Sequence, residues 1–162
     1  MTNSTQKEKK LCWFGLLVLS DRALLPKCIK TSHGDFDVEP VREVNYRNRS
    51  DLIDALNSAI AIGNPSGDVP EYRLKKGPSL LETLIGAKSW ADLERRSIYF
   101  SIKIFPSCCS VKCWGRGPDG KWAGEEDTIL DTIIPVERGT AEIADVILEH
   151  LKTRTDLPGL QL

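Results

Sequence analysis

An apolar stripe at helical spacing is the clearest pattern in the chain, and it predicts a helix over residues 50–62. The stripe consists of Leu52, Ile53, Leu56, Ala59 and Ile60. Ser50 is the predicted N-cap, and Asp51 and Asp54 place negative charge near the positive end of the helix dipole. The run Gly63-Asn64-Pro65 marks the end of the helix. A helix that is apolar on one side needs a covering partner, so we expect it to lie against a sheet.

A second stripe predicts a helix over residues 141–153. Its apolar positions are Ile143, Val146, Ile147, and His150 or Leu151. Thr140 is the predicted cap, Glu142 supplies negative charge at the start, and Lys152 and Arg154 supply positive charge at the end. We expect this helix to pack on the strands that precede it.

Alternating apolar and polar residues predict three successive strands before the second helix. The most regular alternation covers residues 98–105, and residues 110–115 and 127–135 repeat it after turns that contain Pro or Gly. Short connections of this kind join strands into an antiparallel meander. A continuous apolar run over residues 12–19 predicts a further strand near the centre of the sheet, because neither of its faces is polar.

The segments around the first predicted helix have weaker patterns. Residues 28–31 form a possible strand, and residues 37–45 are an extended segment or an edge strand, because Pro40 interrupts them. Residues 63–79 are rich in Gly and Pro and are expected to form one long loop.

A further, short helix is predicted after that loop. Ser89 is a suitable cap for a helix over residues 90–96, and Trp90 and Leu93 would share its buried side.

The order of these elements predicts a single α+β domain, an antiparallel meander sheet packed against two main helices at about 50–62 and 141–153. At 162 residues, 41% of them hydrophobic, the chain has room for one core. We expect the domain to span residues 11–155. Residues 1–10 are expected to be a disordered tail, and residues 156–162 a frayed C-terminal tail.

The amino-terminal composition predicts a cytoplasmic protein without a membrane partner. Residues 1–10 are polar, and the nine-residue apolar run over residues 11–19 is far shorter than the roughly 20 residues a spanning helix needs. The five cysteines, an odd number, favour a reducing compartment.

Charge limits the possible partners. A net charge of −1 and a pI near 6.1 argue against a nucleic-acid partner. The charge is uneven, since residues 119–149 hold nine acidic residues against two basic ones, a local net charge of −7. This stretch is either an ordinary solvated surface or a docking surface for a basic protein. Its candidate partner-binding residues are Asp119, Glu125, Glu126, Asp127 and Asp131.

Arg47 and Arg49 form a second candidate contact. Both lie at the start of the first predicted helix, where positive charge opposes the helix dipole. They either pair with Glu43, Asp51 or another carboxylate and anchor the helix, or they face a partner.

Motifs for catalysis are weak in this sequence. Cys108, Cys109 and Cys113 could act with a histidine as metal ligands or nucleophiles, but the paired C-x₂₋₄-C spacing of structural zinc sites is missing. Gly115-x-Gly117-x-x-Gly120 matches a dinucleotide fingerprint only formally, because it lies between two predicted strands. The run Glu125-Glu126-Asp127 could hold a hard cation or form a solvated turn. We expect no metal, no cofactor and no small-molecule substrate.

Two segments resemble a known family. One is the helix motif, with its matching positions Tyr46, Arg47, Arg49, Asp51, Leu52, Ala55, Leu56, Ala59, Ile60, Gly63, Asn64 and Pro65. The other matches at Gly86, Ser89, Trp90, Leu93, Glu94, Arg95, Ser101 and Ile102. Together they resemble the immunity proteins of bacterial contact-dependent growth inhibition (CDI) systems, the CdiI family. The chain departs from that pattern at Cys108-Cys109, and at Phe100, where the family has Trp.

The resemblance implies a cytoplasmic protein, not an enzyme, that binds and neutralises the toxic C-terminal domain of a cognate CDI toxin, often a nuclease. Two other hypotheses remain open: a small cysteine- or metal-dependent enzyme using Cys108, Cys109 and Cys113, and a non-catalytic scaffold subunit.

Overall fold

The computed structural model of the chain describes residues 8–124, 127–160 and 162, and within these residues it contains six strands and five α-helices. The strands are β1 (Cys12–Val18), β2 (Ala23–Thr31), β3 (Gly34–Val44), β4 (Ile98–Ile104), β5 (Cys108–Trp114) and β6 (Thr128–Pro135). The helices are α1 (Arg49–Ile62), α2 (Glu71–Leu74), α3 (Leu80–Ile85), α4 (Trp90–Arg95) and α5 (Gly139–Thr153), and a single 3-10 turn, Val136–Arg138, precedes α5.

All six strands belong to one antiparallel sheet in the order β3-β2-β1-β4-β5-β6. The predicted meander is confirmed as β4-β5-β6, and β1 is central, as its continuous apolar run predicted. The predicted fold class, an α+β domain with two main helices, is therefore confirmed.

The early strands are longer than their sequence patterns indicated. The strand predicted at residues 28–31 begins at Ala23, and its Pro26 is tolerated because the register shifts between Pro26 and Lys27. The strand β3 lies at the edge of the sheet, as predicted for a segment that contains Pro40. The loop predicted at residues 63–79 is partly wrong, because it contains α2.

Both predicted caps of the main helices are wrong. The helix α1 begins one residue before Ser50, and the Asn48 side chain accepts a hydrogen bond from the Asp51 backbone N–H at 3.3 Å. Asn and Ser are equally good caps, so the residue type alone could not decide between them. Thr140 lies inside α5, where its hydroxyl donates to Asn57 Oδ1 of α1 at 2.8 Å.

The main core lies between one face of the sheet and the helices α1 and α5, which also contact each other. The α1 stripe reaches it through the fully buried Leu52, Ala55 and Leu56. The buried residues of α5 are Ile143, Ala144, Ile147 and Leu151, whereas Val146 of the predicted stripe is only partly buried.

A smaller apolar cluster covers part of the opposite face, and its buried members are Leu17, Leu19, Leu24, Leu81 and Leu93. The helices α3 and α4 supply Leu81 and Leu93. The prediction that Trp90 shares the buried side of α4 is wrong, since 44% of Trp90 is exposed. Its ring instead meets Trp122 edge-on at 5.8 Å between centroids.

Asn64 joins two strands that are not paired along most of their length. The strands β1 and β2 pair only at Leu17 with Leu24 and at Val18 with Ala23. Farther along, the Asn64 side chain accepts from the Trp13 N–H at 2.7 Å and donates to the carbonyls of Trp13 (2.7 Å) and Cys28 (3.1 Å). One side chain thus bridges the two separated backbones.

The chain termini also make defined contacts. Of the predicted tail 1–10, residues 1–7 lie outside the described residues, and the Glu8 carboxylate accepts hydrogen bonds from the N–H and the hydroxyl of Ser107 at 2.9 and 2.6 Å. In the predicted tail 156–162, Leu157 is buried in the main core.

Replacing Asn64 with Ala is expected to lower the free energy of unfolding by about 2–4 kcal/mol. The change would leave one backbone N–H and two carbonyls without their partner in a partly buried position. Urea unfolding measures the loss. The control is Asn57→Ala, which removes one exposed hydrogen bond from the same helix region and should cost less than about 1 kcal/mol. Equal losses in the two variants would contradict the bridging role of Asn64.

Candidate functional site

Five of the seven predicted partner-binding residues lie within the described part of the chain, and the structure places them in two regions. Arg47 and Arg49 lie at the start of α1, in the helical layer. Asp119, Asp127 and Asp131 lie on the β5–β6 hairpin or its connecting loop. Glu125 and Glu126 lie outside the described residues. The arginines and the acidic hairpin therefore do not form one continuous site.

Arg49 forms an ion pair that joins the two main helices. Its Nε donates to Asp145 Oδ1 at 2.7 Å and its Nη2 to Asp145 Oδ2 at 3.1 Å. The hydrogen bonds raise the pKa of Arg49 and lower the pKa of Asp145. This geometry supports the interpretation that Arg49 anchors the helix, with a carboxylate of α5 as its partner.

Arg47 also contacts the rest of the chain. Its Nη2 donates to the carbonyl of Asp21, in the β1–β2 turn, at 3.4 Å. Asp51, a partner considered for these arginines, is instead paired with Arg42 of β3 at 3.2 Å and accepts from the Asn45 N–H at 2.8 Å. Contact between a partner and either Arg47 or Arg49 stays a prediction.

The three described acids of the hairpin differ in their environments. Asp119 accepts a hydrogen bond from the Lys121 N–H at 3.1 Å, and this bond is the main cause of its lowered pKa. Asp127 is exposed just before β6, and its carbonyl accepts from the Gly115 N–H at 3.0 Å. Asp131 is exposed in the middle of β6, on the row of side chains that points away from α1 and α5.

The acidic stretch 119–149 is not a single surface. Its described acids Glu142, Asp145 and Glu149 belong to α5, whereas Asp119, Asp127 and Asp131 belong to the hairpin region. Glu149 is paired with Lys152 at 2.7 Å. The described acids of this stretch therefore lie in two separate regions, the hairpin and α5.

A partly buried ion-pair cluster, which no local sequence pattern indicated, holds the segment after α5. Arg154 Nε donates to Asp156 Oδ1 at 2.6 Å, and Arg116 Nε donates to Asp156 Oδ2 at 2.9 Å. Only 5% of the Arg154 side chain is exposed. The hydrogen bonds from Arg154, and then the one from Arg116, hold the pKa of Asp156 well below its usual range.

Arg116 extends this cluster to other elements, because it also donates to the carbonyls of Glu94, Gly120 and Ser97 at 2.7–2.8 Å. It lies in the glycine-rich turn that matched a dinucleotide fingerprint. That turn leads from β5 towards β6 and holds the end of α4, so its geometry is that of a structural turn.

Of the candidate cysteines, Cys108 is half-buried, and Cys109 and Cys113 are buried in surroundings that do not favour a nucleophilic thiolate. Burial raises the pKa of Cys109 and of Cys113 to about 12, which keeps both as thiols. Burial also lowers the pKa of His150, whose ring meets Phe100 edge-on at 5.8 Å. Among the described residues, no group of three His, Cys, Asp or Glu side chains could hold a metal ion.

An aromatic cluster lies on the face of the sheet opposite α1 and α5. Tyr99 and Trp114 have ring centroids 4.5 Å apart, and Trp122 stands 5.0 Å from Tyr99 and 5.6 Å from Trp114. The Tyr99 ring covers Gly15 so closely that any larger residue there would collide with it. These contacts fix the orientation of the strands β1, β4 and β5 on this face.

A cavity of about 210 Å³ lies between α1 and the strands β2 and β3. Its walls include Leu25, Pro40, Ala59 and Ile62. It is smaller than the roughly 300–1,000 Å³ of typical small-molecule sites. Mostly aliphatic walls of this kind offer little chemistry for catalysis.

No protein-family model and no curated protein matches the sequence. Solved structures do match. A chain of the CdiA-CT/CdiI toxin and immunity complex from Yersinia pseudotuberculosis aligns with a TM-score of 0.63 and 12% identity, over 89% of this chain and 97% of that chain. A protein of unknown function from Neisseria meningitidis aligns with a TM-score of 0.62 and 16% identity, over 94% of this chain and 99% of that chain. The chain therefore shares its fold with both proteins over nearly its whole length.

In the part of the chain that the structure describes, none of the helices combines the length and the apolar character needed to cross a membrane.

Replacing Asp156 with Asn is expected to lower the free energy of unfolding by about 3 kcal/mol at pH 7, because two largely buried guanidinium groups would lose their carboxylate. The pKa of Asp156 is lower in the folded state than its unfolded value of about 3.9. Its contribution is therefore complete above the unfolded pKa and is lost as the pH falls through the folded pKa. Urea unfolding at several pH values should show the difference from wild type shrinking below about pH 5.

Asp131→Asn is the matched control for this prediction. Asp131 is exposed, so this change should alter the free energy of unfolding by less than about 0.5 kcal/mol. A loss in Asp156→Asn that stays constant as the pH falls would show that the ion pairs are not its cause.

Proposed function

We propose that this chain is an immunity protein of a contact-dependent growth inhibition system and that it neutralises the toxic C-terminal domain of a cognate toxin. The observation that carries the proposal is the fold shared, over nearly the whole chain, with a chain of the Yersinia toxin and immunity complex. The helix motif that ends in Gly63-Asn64-Pro65 gives separate support, because it resembles the CdiI family in sequence.

The contacts inside the molecule fit a protein that acts by binding. Cys109 and Cys113 are buried thiols, and the strongest ion-pair cluster, around Asp156, holds the fold together. Inhibition would then need no reaction. The immunity protein would cover the active site of the toxin or block the path of its substrate in the cytoplasm of the producing cell.

We further propose that the partner is basic, as expected of a nuclease that must bind a polyanion. The acids Asp119, Glu125, Glu126, Asp127 and Asp131 supply the complementary charge. Charge complementarity across an interface raises the association rate and selects among partners more than it adds affinity. A fast association rate suits an inhibitor that must capture a toxin soon after it enters the cell.

Co-expression with the toxin domain encoded beside this gene tests the proposed function. Cells that express the toxin domain with this protein are expected to grow normally, and cells that express the toxin domain alone are expected to stop growing. The two purified proteins should also form a one-to-one complex on size-exclusion chromatography. An unrelated immunity protein serves as the control. Growth arrest despite soluble expression of this chain would refute the proposal.

Reversing the charge of Glu125, Glu126 and Asp127 to Lys is expected to slow association with the toxin domain by about tenfold or more and to weaken its salt dependence. Stopped-flow measurements at several salt concentrations give both quantities. The matched control reverses Glu137, Glu142 and Glu149, which changes the net charge equally but lies on the 3-10 turn and α5. The same slowing in both variants would show that net charge matters and that the hairpin has no special role.

A further inference from the structure

The cavity between α1 and the strands β2 and β3, which we call the α1 cavity, reaches from the main core to the surface. Phe14, Leu25 and Ala55 line it and belong to the buried core. Ile62, the last residue of α1, also lines it and is 51% exposed. Pro40 on the edge strand β3 is exposed as well. The cavity therefore opens to solvent between the end of α1 and the edge of the sheet.

The size and the walls of the α1 cavity suit a short aliphatic chain. Protein interiors contain few voids larger than a water molecule, because filled space adds dispersion contacts. An apolar cavity of about 150 Å³ is large enough to stay dry and to bind one benzene molecule. The α1 cavity, at about 210 Å³, is larger and has mostly aliphatic walls. It has room for a chain of about six to eight carbon atoms.

The two charged residues in the described wall of this cavity are both basic. Arg42 is already paired, since its Nη2 lies 3.2 Å from Asp51 Oδ1 and its Nη1 donates to Ser58 Oγ at 3.3 Å. Lys27 is half-buried, and no described carboxylate lies within 4.0 Å of its ammonium group. An anionic group bound at the cavity would give Lys27 the partner that the described chain does not supply.

The charge at Lys27 also limits the kind of anion. One lysine balances a single negative charge, which favours a carboxylate over a phosphate with its charge of about −2. A partly buried ion pair of this kind is less screened by salt than a fully exposed pair. A ligand that combines a carboxylate with an aliphatic chain would therefore match both parts of the site.

We propose that the α1 cavity is a binding site for a small amphipathic carboxylate, whose aliphatic chain of about six to eight carbons fills the cavity and whose carboxylate pairs with Lys27. The ligand is bound and not transformed, because the walls offer it no nucleophile or base. This site goes beyond the proposed function and does not depend on it, since the ligand binds to the chain alone.

The central experiment is isothermal titration calorimetry of the purified chain with sodium octanoate. We expect one saturable site with a dissociation constant on the order of 0.1 mM. Ala59→Leu fills the cavity from α1 and should weaken binding by at least about tenfold. The matched control is Ala61→Leu on the same helix, where Ala61 is exposed and outside the cavity wall, and it should change binding by less than about twofold.

A series of chain lengths tests the size of the cavity on the wild-type chain, so it does not depend on how any variant folds. Each buried methylene contributes about fourfold in affinity. Hexanoate should therefore bind about tenfold more weakly than octanoate. Decanoate should stay within about threefold of octanoate, because its last methylenes remain outside the cavity.

A change of charge tests the position of the carboxylate. Lys27→Gln is expected to weaken octanoate binding by about fivefold or more and to leave the binding of neutral octan-1-ol within about twofold. Lys30→Gln is the matched control, because Lys30 is an exposed residue of the same strand outside the cavity wall. Urea midpoints at or above the wild-type value would confirm that the variants fold.

Three results would overturn the proposal. Octanoate that shows no saturable binding up to about 10 mM would exclude the site. Equal weakening by Ala59→Leu and Ala61→Leu would place the ligand elsewhere, and equal effects of Lys27→Gln on octanoate and octan-1-ol would remove the carboxylate from Lys27. If octanoate does not bind but Ala59→Leu abolishes binding of the toxin domain, the cavity receives a side chain of the partner protein and not a small carboxylate.

Discussion

The side chain of Asn64 sets the shape of the sheet, because it bridges two strands that pair at only two positions. Its amide accepts from one backbone N–H and donates to two carbonyls, which is what a paired strand would otherwise supply. The helix α1 must end before Asn64 for these hydrogen bonds to form. Gly63 ends it, with a positive φ of 64° that other residues rarely adopt. The motif Gly63-Asn64-Pro65 therefore couples the end of the main helix to the separation of β1 and β2.

A second constraint acts at the opposite end of the chain. In the segment after α5, Asp156 accepts hydrogen bonds from Arg154 and from Arg116, which lies in the β5–β6 loop. Arg116 also donates hydrogen bonds to three backbone carbonyls, and two of them belong to Glu94 of α4 and to Ser97 just after it. Arg116 thus holds the hairpin loop against α4 directly, and against the segment after α5 through the partly buried carboxylate of Asp156. Removing a partner from such a cluster costs more than the cluster itself contributes, since a charge is left buried.

Local patterns in the sequence were enough to predict the architecture, but they did not predict the long-range contacts. The apolar stripe that includes Leu52 and Leu56 keeps a helical spacing over several turns, and residues 98–104 alternate over the whole length of a strand. Such sustained periods are not easily overridden by tertiary contacts. Ser50 failed as a cap because the side chain of Asn48 accepts the first hydrogen bond of α1 instead. Thr140 failed because α5 already begins at Gly139, directly after the 3-10 turn. Arg116 and Asp156 are 40 residues apart, and nothing local distinguishes them from solvated charges. The acidic stretch looked like one surface for the same reason: sequence proximity does not say which side of the sheet a carboxylate occupies.

One face of β6 attaches this edge strand to the main core, and the other face is free of that constraint. Side chains alternate between the two faces of a strand, so a substitution at Asp131 or Ile133 leaves Leu130 and Ile134 packed in the core. Asp131 and Ile133 lie far from the Asn64 bridge in the strand order, with β4 and β5 between β1 and β6. These two positions can therefore vary without disturbing the contact on which the sheet depends. The two structurally similar chains keep this fold at 12% and 16% identity, so the fold tolerates change at most of its positions.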